Sequence, residues 1–200
     1  MYARVITFNG AKNIDDGLTF VQEKAMPLVA SQQGYRGISI SADRQGGVFG
    51  ILSLWETEAD RKASESALAD VRQDGLNIIG GEMTVENFEE VVVELGDTPP
   101  GAGSALLVQR ASMDPATVED NLAYFKNEVV PRIKANPGFR ALRNLLNREA
   151  GQSIVGTAWT DTDALRAALA QGQQRRQEAV DRGVTFGESS EREILFTDLR

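Results

Sequence analysis

Two tryptophans and two arginines recur in this chain at a fixed spacing and could together hold an aromatic ligand. Trp55 and Arg72 are matched by Trp159 and Arg176, each 104 residues further along. An indole ring can stack on a planar molecule, and a guanidinium can bind a phenolate, carboxylate or quinone oxygen. These residue types could therefore contact a planar ligand that carries a polar oxygen. The structural alternative is that the tryptophans close the core and the arginines favour a helix end.

The residue types that the chain lacks restrict its chemistry. It contains no histidine and no cysteine, which removes the commonest metal ligand, the usual proximal haem ligand and any thiolate nucleophile. The acidic run of Glu86, Glu89, Glu90 and Glu94 is more typical of a solvated strand edge than of a cation site. We therefore expect no metal site and no cofactor.

Charge and hydropathy exclude other classes of partner. The net charge is −8, with −7 in residues 1–96 and zero in residues 104–200. No basic stripe is present, so nucleic acid is not expected as a partner. No apolar run reaches the roughly 18 residues of a membrane span, and the first residues, MYARVITFNG, indicate a strand rather than a signal peptide. We expect a cytoplasmic protein without a membrane partner.

The whole chain repeats itself at the offset of 104 residues, without a gap. The best-matched stretches are QEKAMPLVASQQGYRG and KNEVVPRIKANPGFRA. A period of this length is domain-sized, far above the roughly 20–50 residues of solenoid and propeller repeats. We therefore predict two domains, residues 1–96 and 104–200, joined by the linker DTPPGAG at 97–103, which is rich in proline and glycine.

Each half is predicted to run strand, helix, strand, strand, helix, strand. Pro27 lies inside the first helix and should kink or restart it, and Gly34 and Gly138 should end that helix in each half. The predicted strands of the first half are 2–8, 36–42, 48–55 and 87–95, with the second helix at about 57–73. Those of the second half include 140–146, 153–159 and 193–199, with the second helix at about 160–177.

This order predicts a particular α+β fold. A βαββαβ chain makes a ferredoxin-like sheet with both helices on one face, and two such sheets can cover their bare faces by packing together. We therefore predict two tandem ferredoxin-like domains packed sheet to sheet as an intramolecular dimeric α+β barrel. Since one chain would equal one dimer of single-domain proteins, we expect a monomer or a homodimer, which light scattering distinguishes.

Two motifs in each half carry a family resemblance. QGYRG at 33–37 and PGFRA at 137–141, with SLWETEAD at 53–60 and TAWTDTDA at 157–164, resemble the antibiotic biosynthesis monooxygenase family. The resemblance implies a cofactor-independent monooxygenase acting on a small aromatic or quinone-like molecule, with the strand-end tryptophan lining the substrate cavity. The same fold also carries other functions, so the alternative is a non-enzymatic small-molecule-binding or structural protein.

The chain departs from the family at residues that the oxygenases use. They carry an asparagine four residues before the tryptophan, on the same strand face, where this chain has Ile51 and Val155. A branched aliphatic side chain cannot polarise a carbonyl or stabilise an enolate. The tyrosine expected six residues after the tryptophan is replaced by Arg61 and Leu165. The haem-degrading branch requires a histidine, which this chain does not contain.

The two halves differ on the strand face that carries the tryptophan. The first half has Phe49 and Ile51 there, whereas the second has Ser153 and Val155. Smaller and more polar side chains leave more room, so we predict a ligand cavity in the second half. Its predicted lining residues are Trp159, Arg176, Arg143, Asn144, Arg110 and Tyr124, with Trp55 and Arg72 as equivalents in the first half.

Overall fold

The computed structural model describes residues 1–199, and the chain forms two compact units. Unit 1 consists of Met1–Glu89 together with the segment that starts at Glu193, and unit 2 consists of Glu90–Arg192. The units differ from the halves of the sequence repeat at the last strand of each half. Residues 90–96 belong to unit 2, and the segment from Glu193 belongs to unit 1.

Unit 1 is an antiparallel sheet with helices in its two long connections. Its strands are β1 (Tyr2–Asn9), β2 (Tyr35–Asp43), β3 (Val48–Trp55), the first part of β4 (Glu82–Leu95) and the last part of β8 (Thr185–Thr197). Its helices are α1 (Ile14–Phe20), α2 (Met26–Ala30), α3 (Glu58–Ala67) and α4 (Ala69–Ile79). Within the unit the strands are ordered β4, β1, β3, β2, β8.

Unit 2 repeats this order of elements. Its complete strands are β5 (Ala105–Ser112), β6 (Phe139–Asn147) and β7 (Gln152–Trp159), in the order β8, β5, β7, β6, β4. Its helices are α5 (Val118–Tyr124), α6 (Val130–Lys134), α7 (Thr162–Gln171) and α8 (Gln173–Asp181), with a short 3₁₀ turn at Pro115–Thr117. The predicted α+β class is confirmed.

The first helical segment of each unit is interrupted just before its proline. A π-helical turn at Val21–Ala25 separates α1 from α2, and Pro27 lies in the first turn of α2. Proline lacks an N–H group and its ring crowds the carbonyl four residues earlier, which the wider π turn accommodates. The restart predicted at Pro27 is therefore present. Gly34 adopts a φ of +74°, but the helix already ends at Ala30.

Two other predicted elements are longer than their local sequence patterns indicate. The second helical segment of unit 1 continues to Ile79 and is divided at Leu68 into α3 and α4. Strand β4 begins at Glu82 rather than at residue 87 because Glu82–Glu89 pair along the whole of β1. Pairing with a neighbouring strand, rather than intrinsic propensity, determines this length.

The first strands of the two units do not follow the repeat offset. Tyr2 lies opposite Trp55, and Ala105 lies opposite Trp159, so β1 and β5 are related by 103 residues. The prediction of a gapless repeat is therefore wrong in this strand. A shift of one residue exchanges the two faces of a strand, so Phe8 corresponds to Ala111. Among residues 1–199, no helix is long and apolar enough to cross a membrane.

Candidate functional site

Unit 2 contains a cavity of about 240 Å³ between its sheet and its helices. Alternate side chains of β7, from Ser153 to Trp159, form part of its floor, because successive strand residues point to opposite faces. Apolar side chains of α5 and α7, including Leu122 and Leu165, cover it. The cavity lies in the second half, where the smaller side chains of the strand ending at Trp159 predicted more room.

The equivalent space in unit 1 measures about 50 Å³. Phe8 and Phe49 face each other across β1 and β3, with ring centroids 6.0 Å apart in an edge-to-face arrangement. In unit 2 the corresponding cross-strand pair is Ala111 and Ser153. The absence of two phenyl rings is the main reason that unit 2 stays open.

Arg4 completes the closed core of unit 1. Its guanidinium donates hydrogen bonds to Ser64 Oγ at 3.0 Å and to the carbonyl of Arg61 at 2.7 Å. It also lies over the ring of Trp55, with its central carbon 5.6 Å from the centroid. Burial and the nearby charge of Arg72 lower the pKa of Arg4 to about 10, so it is charged at neutral pH. This polar network holds the fold and leaves little room for a ligand.

Trp159 closes the core of unit 2 and also lines its cavity. Its Nε1 donates to Thr157 Oγ1 at 3.1 Å, and its ring packs edge to face on Phe139 with centroids 5.8 Å apart. Trp55 is fully buried in unit 1 and makes the equivalent bond to Ser53 Oγ at 3.2 Å. Since its N–H is already paired, Trp159 offers a ligand its aromatic surface.

Asn144 presents an amide to the cavity from β6. It lies directly opposite Val155, the position where the resembling oxygenases carry their asparagine. Its Oδ1 accepts a hydrogen bond from Ser153 Oγ at 2.8 Å, and no residue of the described part of the chain accepts one from its Nδ2. The side chain lines the cavity and is only 6% exposed. A buried amide donor is therefore available to a ligand oxygen.

Arg176 reaches the cavity from α8 but is already engaged by protein groups. Its Nη1 donates to Gln109 Oε1 at 3.0 Å, and its guanidinium lies 4.0 Å from the ring centroid of Phe186. Gln109 in turn donates to the carbonyl of Gly187 at 3.1 Å. Arg176 therefore ties α8 to the neighbouring strands.

Arg175 also lines the cavity and was not predicted from the sequence. It is partly buried, and within residues 1–199 its guanidinium forms no hydrogen bond or ion pair. Burial, followed by the charge of Arg132, lowers its pKa. The residue at the equivalent position of unit 1 is Val71, so the repeat did not reveal it. The sequence signal that could have indicated Arg175 is the difference between Arg175 and Val71, whereas a search for repeated residues finds only positions that match.

Tyr124 contributes a phenol at the side of the cavity nearest α8. Its hydroxyl donates to Glu178 Oε2 at 2.7 Å, and the guanidinium of Arg182 lies 4.4 Å from its ring centroid. The hydrogen bond to Glu178 raises the pKa of Tyr124, because ionisation would break that bond. The phenol therefore stays protonated near neutral pH.

The remaining predicted residues lie elsewhere. Arg143 is on the opposite face of β6 from Asn144, and its Nη1 is 2.5 Å from Glu90 Oε1 in a buried ion pair. Arg110 is likewise on the opposite face of β5 from Gln109.

Arg72 donates to the carbonyl of Glu65 at 2.8 Å and lines only the small space in unit 1. The predicted residues that share the larger cavity are Trp159, Arg176, Asn144 and Tyr124.

Acidic residues do not form a metal site in the part of the chain that the structure describes, where no group of three or more could hold an ion. The described lining residues of the cavity also include no Asp or Glu. Its polar character therefore comes from amide, hydroxyl and guanidinium groups.

Sequence comparison finds relatives without an assigned function. No family model matches the chain. An uncharacterized protein of Mycobacterium tuberculosis is 26% identical over 166 residues, which are 82% of this chain and 74% of that protein. A second uncharacterized protein of the same organism is 24% identical over 185 residues, or 92% of this chain and 77% of its own. These relatives assign neither a substrate nor a reaction.

Solved structures show the fold. A candidate monooxygenase from Fusobacterium nucleatum superposes with a TM-score of 0.76 at 11% identity, covering 100% of this chain and 94% of its own. An anthrone oxidase-like protein gives 0.71 at 15% identity, covering 98% and 92%. A Listeria monocytogenes ferredoxin fold protein related to antibiotic biosynthesis monooxygenases gives 0.53 at 8% identity, covering 96% and 94%. The chain therefore has the α+β, ferredoxin-like fold of these proteins.

Proposed function

We propose that unit 2 binds a small planar aromatic or quinone-like molecule and acts on it as a cofactor-independent monooxygenase. The observation that carries the proposal is the cavity of about 240 Å³, in which Trp159 and the amide of Asn144 line the same space. Ligand pockets usually measure about 300–1,000 Å³. The smaller volume favours a compact fused-ring molecule.

The cavity combines an apolar wall with the amide of Asn144. Val155 and Leu122 give it apolar surface, and the ring of Trp159 gives it an aromatic one. Because Ser153 holds Oδ1 of Asn144, Nδ2 is oriented as a donor. A hydrogen bond in a low-dielectric site is stronger than the same bond in water, and donors placed where negative charge develops stabilise the transition state.

These groups suit oxidation of an activated methylene beside a carbonyl, as in an anthrone. Loss of a proton to solvent leaves an enolate, whose oxygen accepts a hydrogen bond from Asn144. The enolate carbon gives electrons to O₂ and forms a C–O bond, which yields a hydroperoxide once a proton is taken up. Loss of the remaining proton from that carbon then breaks the O–O bond, and the departing hydroxide takes up a proton and leaves as water, so the carbon keeps one oxygen atom as a carbonyl. The substrate supplies all the electrons.

Similarity of fold supports this class of reaction. Two of the matching structures are an anthrone oxidase-like protein and a candidate monooxygenase. Val155 stands where the resembling oxygenases have their asparagine, and Asn144 lies directly across from it on the next strand. The neighbouring strand can therefore supply the amide that β7 lacks.

The alternative function is binding without turnover. It is favoured by the absence of a carboxylate among the described cavity residues, since a general base within reach of the substrate commonly assists such proton removal. On this reading the cavity stores, carries or senses an aromatic molecule. Ligand affinity and oxygen consumption separate the two functions.

The experiment measures both quantities on the same proteins. Wild type is titrated with anthrones and quinols without oxygen by following tryptophan fluorescence, and then assayed for oxygen uptake. We expect binding and uptake in wild type, reduced uptake in Trp159→Phe, and neither in Ala111→Phe, whose ring occupies the cavity. Binding without uptake on every compound supports the alternative, and the absence of binding contradicts both functions.

A further inference from the structure

A group of cationic side chains beside the cavity of unit 2 bears on the kind of ligand that the cavity takes. Arg132 donates to Glu178 Oε2 at 2.7 Å, and Arg182 stacks on the ring of Tyr124 at 4.4 Å. Arg175 lines the cavity next to them. In a chain of net charge −8, this is a local reversal of charge.

Other groups already occupy the carboxylates near this cluster. Glu178 accepts hydrogen bonds from Tyr124 at 2.7 Å, from Arg132 at 2.7 Å and from Gln174 at 3.1 Å. Glu128, one helical turn before Arg132, lies 3.6 Å from the same guanidinium. Arg175 therefore has a charge nearby in Glu178, but no carboxylate oxygen of residues 1–199 lies within hydrogen-bonding distance of it.

The guanidinium of Arg175 lies against Gly172, where the lack of a side chain leaves it room beside the cavity. Its Nη2 lies 2.9 Å from the point at which a Cβ would stand on Gly172, another lining residue. In unit 1 the equivalent positions are Leu68, which is buried, and Val71. The glycine and the arginine thus occur together in the unit that has the cavity. A partly desolvated charge without a partner is costly, and a bound anion would offset that cost.

We propose that Arg175 binds a carboxylate on the aromatic ligand of unit 2, so that this cavity selects aromatic acids over their neutral counterparts. The planar fork of a guanidinium matches the two oxygens of a carboxylate. The Asn144 amide and the Trp159 ring then contact the remainder of the molecule. This inference rests on the ligand binding of the proposed function and is independent of turnover.

The test uses two probes of the same shape and different charge, naphthoate and naphthamide. Their dissociation constants are measured at neutral pH by calorimetry for wild type, Arg175→Gln and Arg166→Gln. Arg166 is an exposed arginine paired with Glu191 and serves as the control for loss of one positive charge. We expect wild type to bind naphthoate about tenfold or more tightly than naphthamide, because charge-assisted hydrogen bonds are roughly twice as strong as neutral ones.

The pattern across the variants decides the proposal. Arg175→Gln should lose the preference for naphthoate while its affinity for naphthamide is unchanged, and Arg166→Gln should behave as wild type. Equal affinity of wild type for the two probes, or a preference that survives in Arg175→Gln, overturns the role of Arg175 and leaves the proposed function standing. Failure of both probes to bind overturns this inference together with the binding that the proposed function requires.

Discussion

Ser153 lies directly opposite Ala111 on β7 and β5, at the register positions that Phe49 and Phe8 occupy in unit 1. This one cross-strand pair accounts for much of the difference between a cavity of about 240 Å³ and a space of about 50 Å³. Both units keep their tryptophan and its hydrogen bond to the strand. Of the two units, one therefore has a closed core and the other an open core.

Rebuilding the closed core in unit 2 should abolish ligand binding without unfolding the protein. In the double variant Ala111→Phe/Ser153→Phe, two rings occupy space that no side chain of the unit fills, so their burial favours folding while any misfit opposes it. We expect no measurable binding of naphthoate or an anthrone by calorimetry, with a urea midpoint at or above that of wild type. Retained affinity in the double variant would place the ligand outside the cavity.

The reverse change in unit 1, Phe49→Ala, should cost about 3–5 kcal/mol of unfolding free energy.

Asn144 and Ser153 should act on turnover as a pair. Asn144→Leu removes the donor to the enolate oxygen, and we expect kcat for anthrone oxidation to fall by about 10²–10³, as for loss of one oxyanion donor. Ser153→Ala removes the 2.8 Å bond that orients the amide and should lower kcat by a smaller factor, with KM nearly unchanged. Oxygen-electrode kinetics measure both, with Arg166→Gln as the control. An unchanged kcat in Asn144→Leu contradicts the role given to the amide.

Arg143 should prove to be a structural residue. Arg143→Met leaves the side chain of Glu90, which is 1% exposed, without this guanidinium. Breaking a buried pair in this way costs roughly 3–5 kcal/mol, which urea denaturation measures. The double variant Arg143→Met/Glu90→Leu should recover much of the loss, because it removes the buried charge as well. Naphthoate affinity should be the same in both variants and in wild type. A loss of affinity in a variant that remains folded would show that Arg143 contributes to binding.

Glu178 should stabilise the protein in a pH-dependent manner. Hydrogen bonds from Tyr124 and Arg132 lower the pKa of Glu178 below its ordinary value of 4.5, so the unfolded chain takes up this proton first as the pH falls. The stabilisation is therefore complete above about pH 4.5 and is lost as the pH falls through the lower folded-state pKa. Glu178→Gln should have a lower free energy of unfolding than wild type at pH 6, as measured by urea denaturation. The difference in unfolding free energy between the two proteins should become smaller at acidic pH. This change of the difference with pH should be much smaller when both proteins also carry Arg132→Met. A difference in unfolding free energy that does not depend on pH would contradict the stabilising role given to Glu178.

Much of the fold was predictable from local patterns. Apolar spacing, turn glycines and prolines predicted the order of elements in both halves and the interruption of the first helix near Pro27. The contrast between Phe49 and Ser153 also indicated which half has room for a ligand. These signals are local, because they depend on side-chain size and on periods of a few residues.

The membership of the site was decided by tertiary structure. Alternation assigns side chains to two faces, but only pairing with neighbouring strands determines which face is covered by helices. The register of β5 brings Ala111 to the cavity, and that of β6 turns Asn144 inward and Arg143 away. Arg175 was missed because repetition marks what the two units share, whereas a binding site in one unit depends on residues that the other does not have. The sequence by itself indicated the order of elements in each half and the half with room for a ligand, because both depend on local spacing and side-chain size. Long-range strand pairing decided which side chains line the cavity.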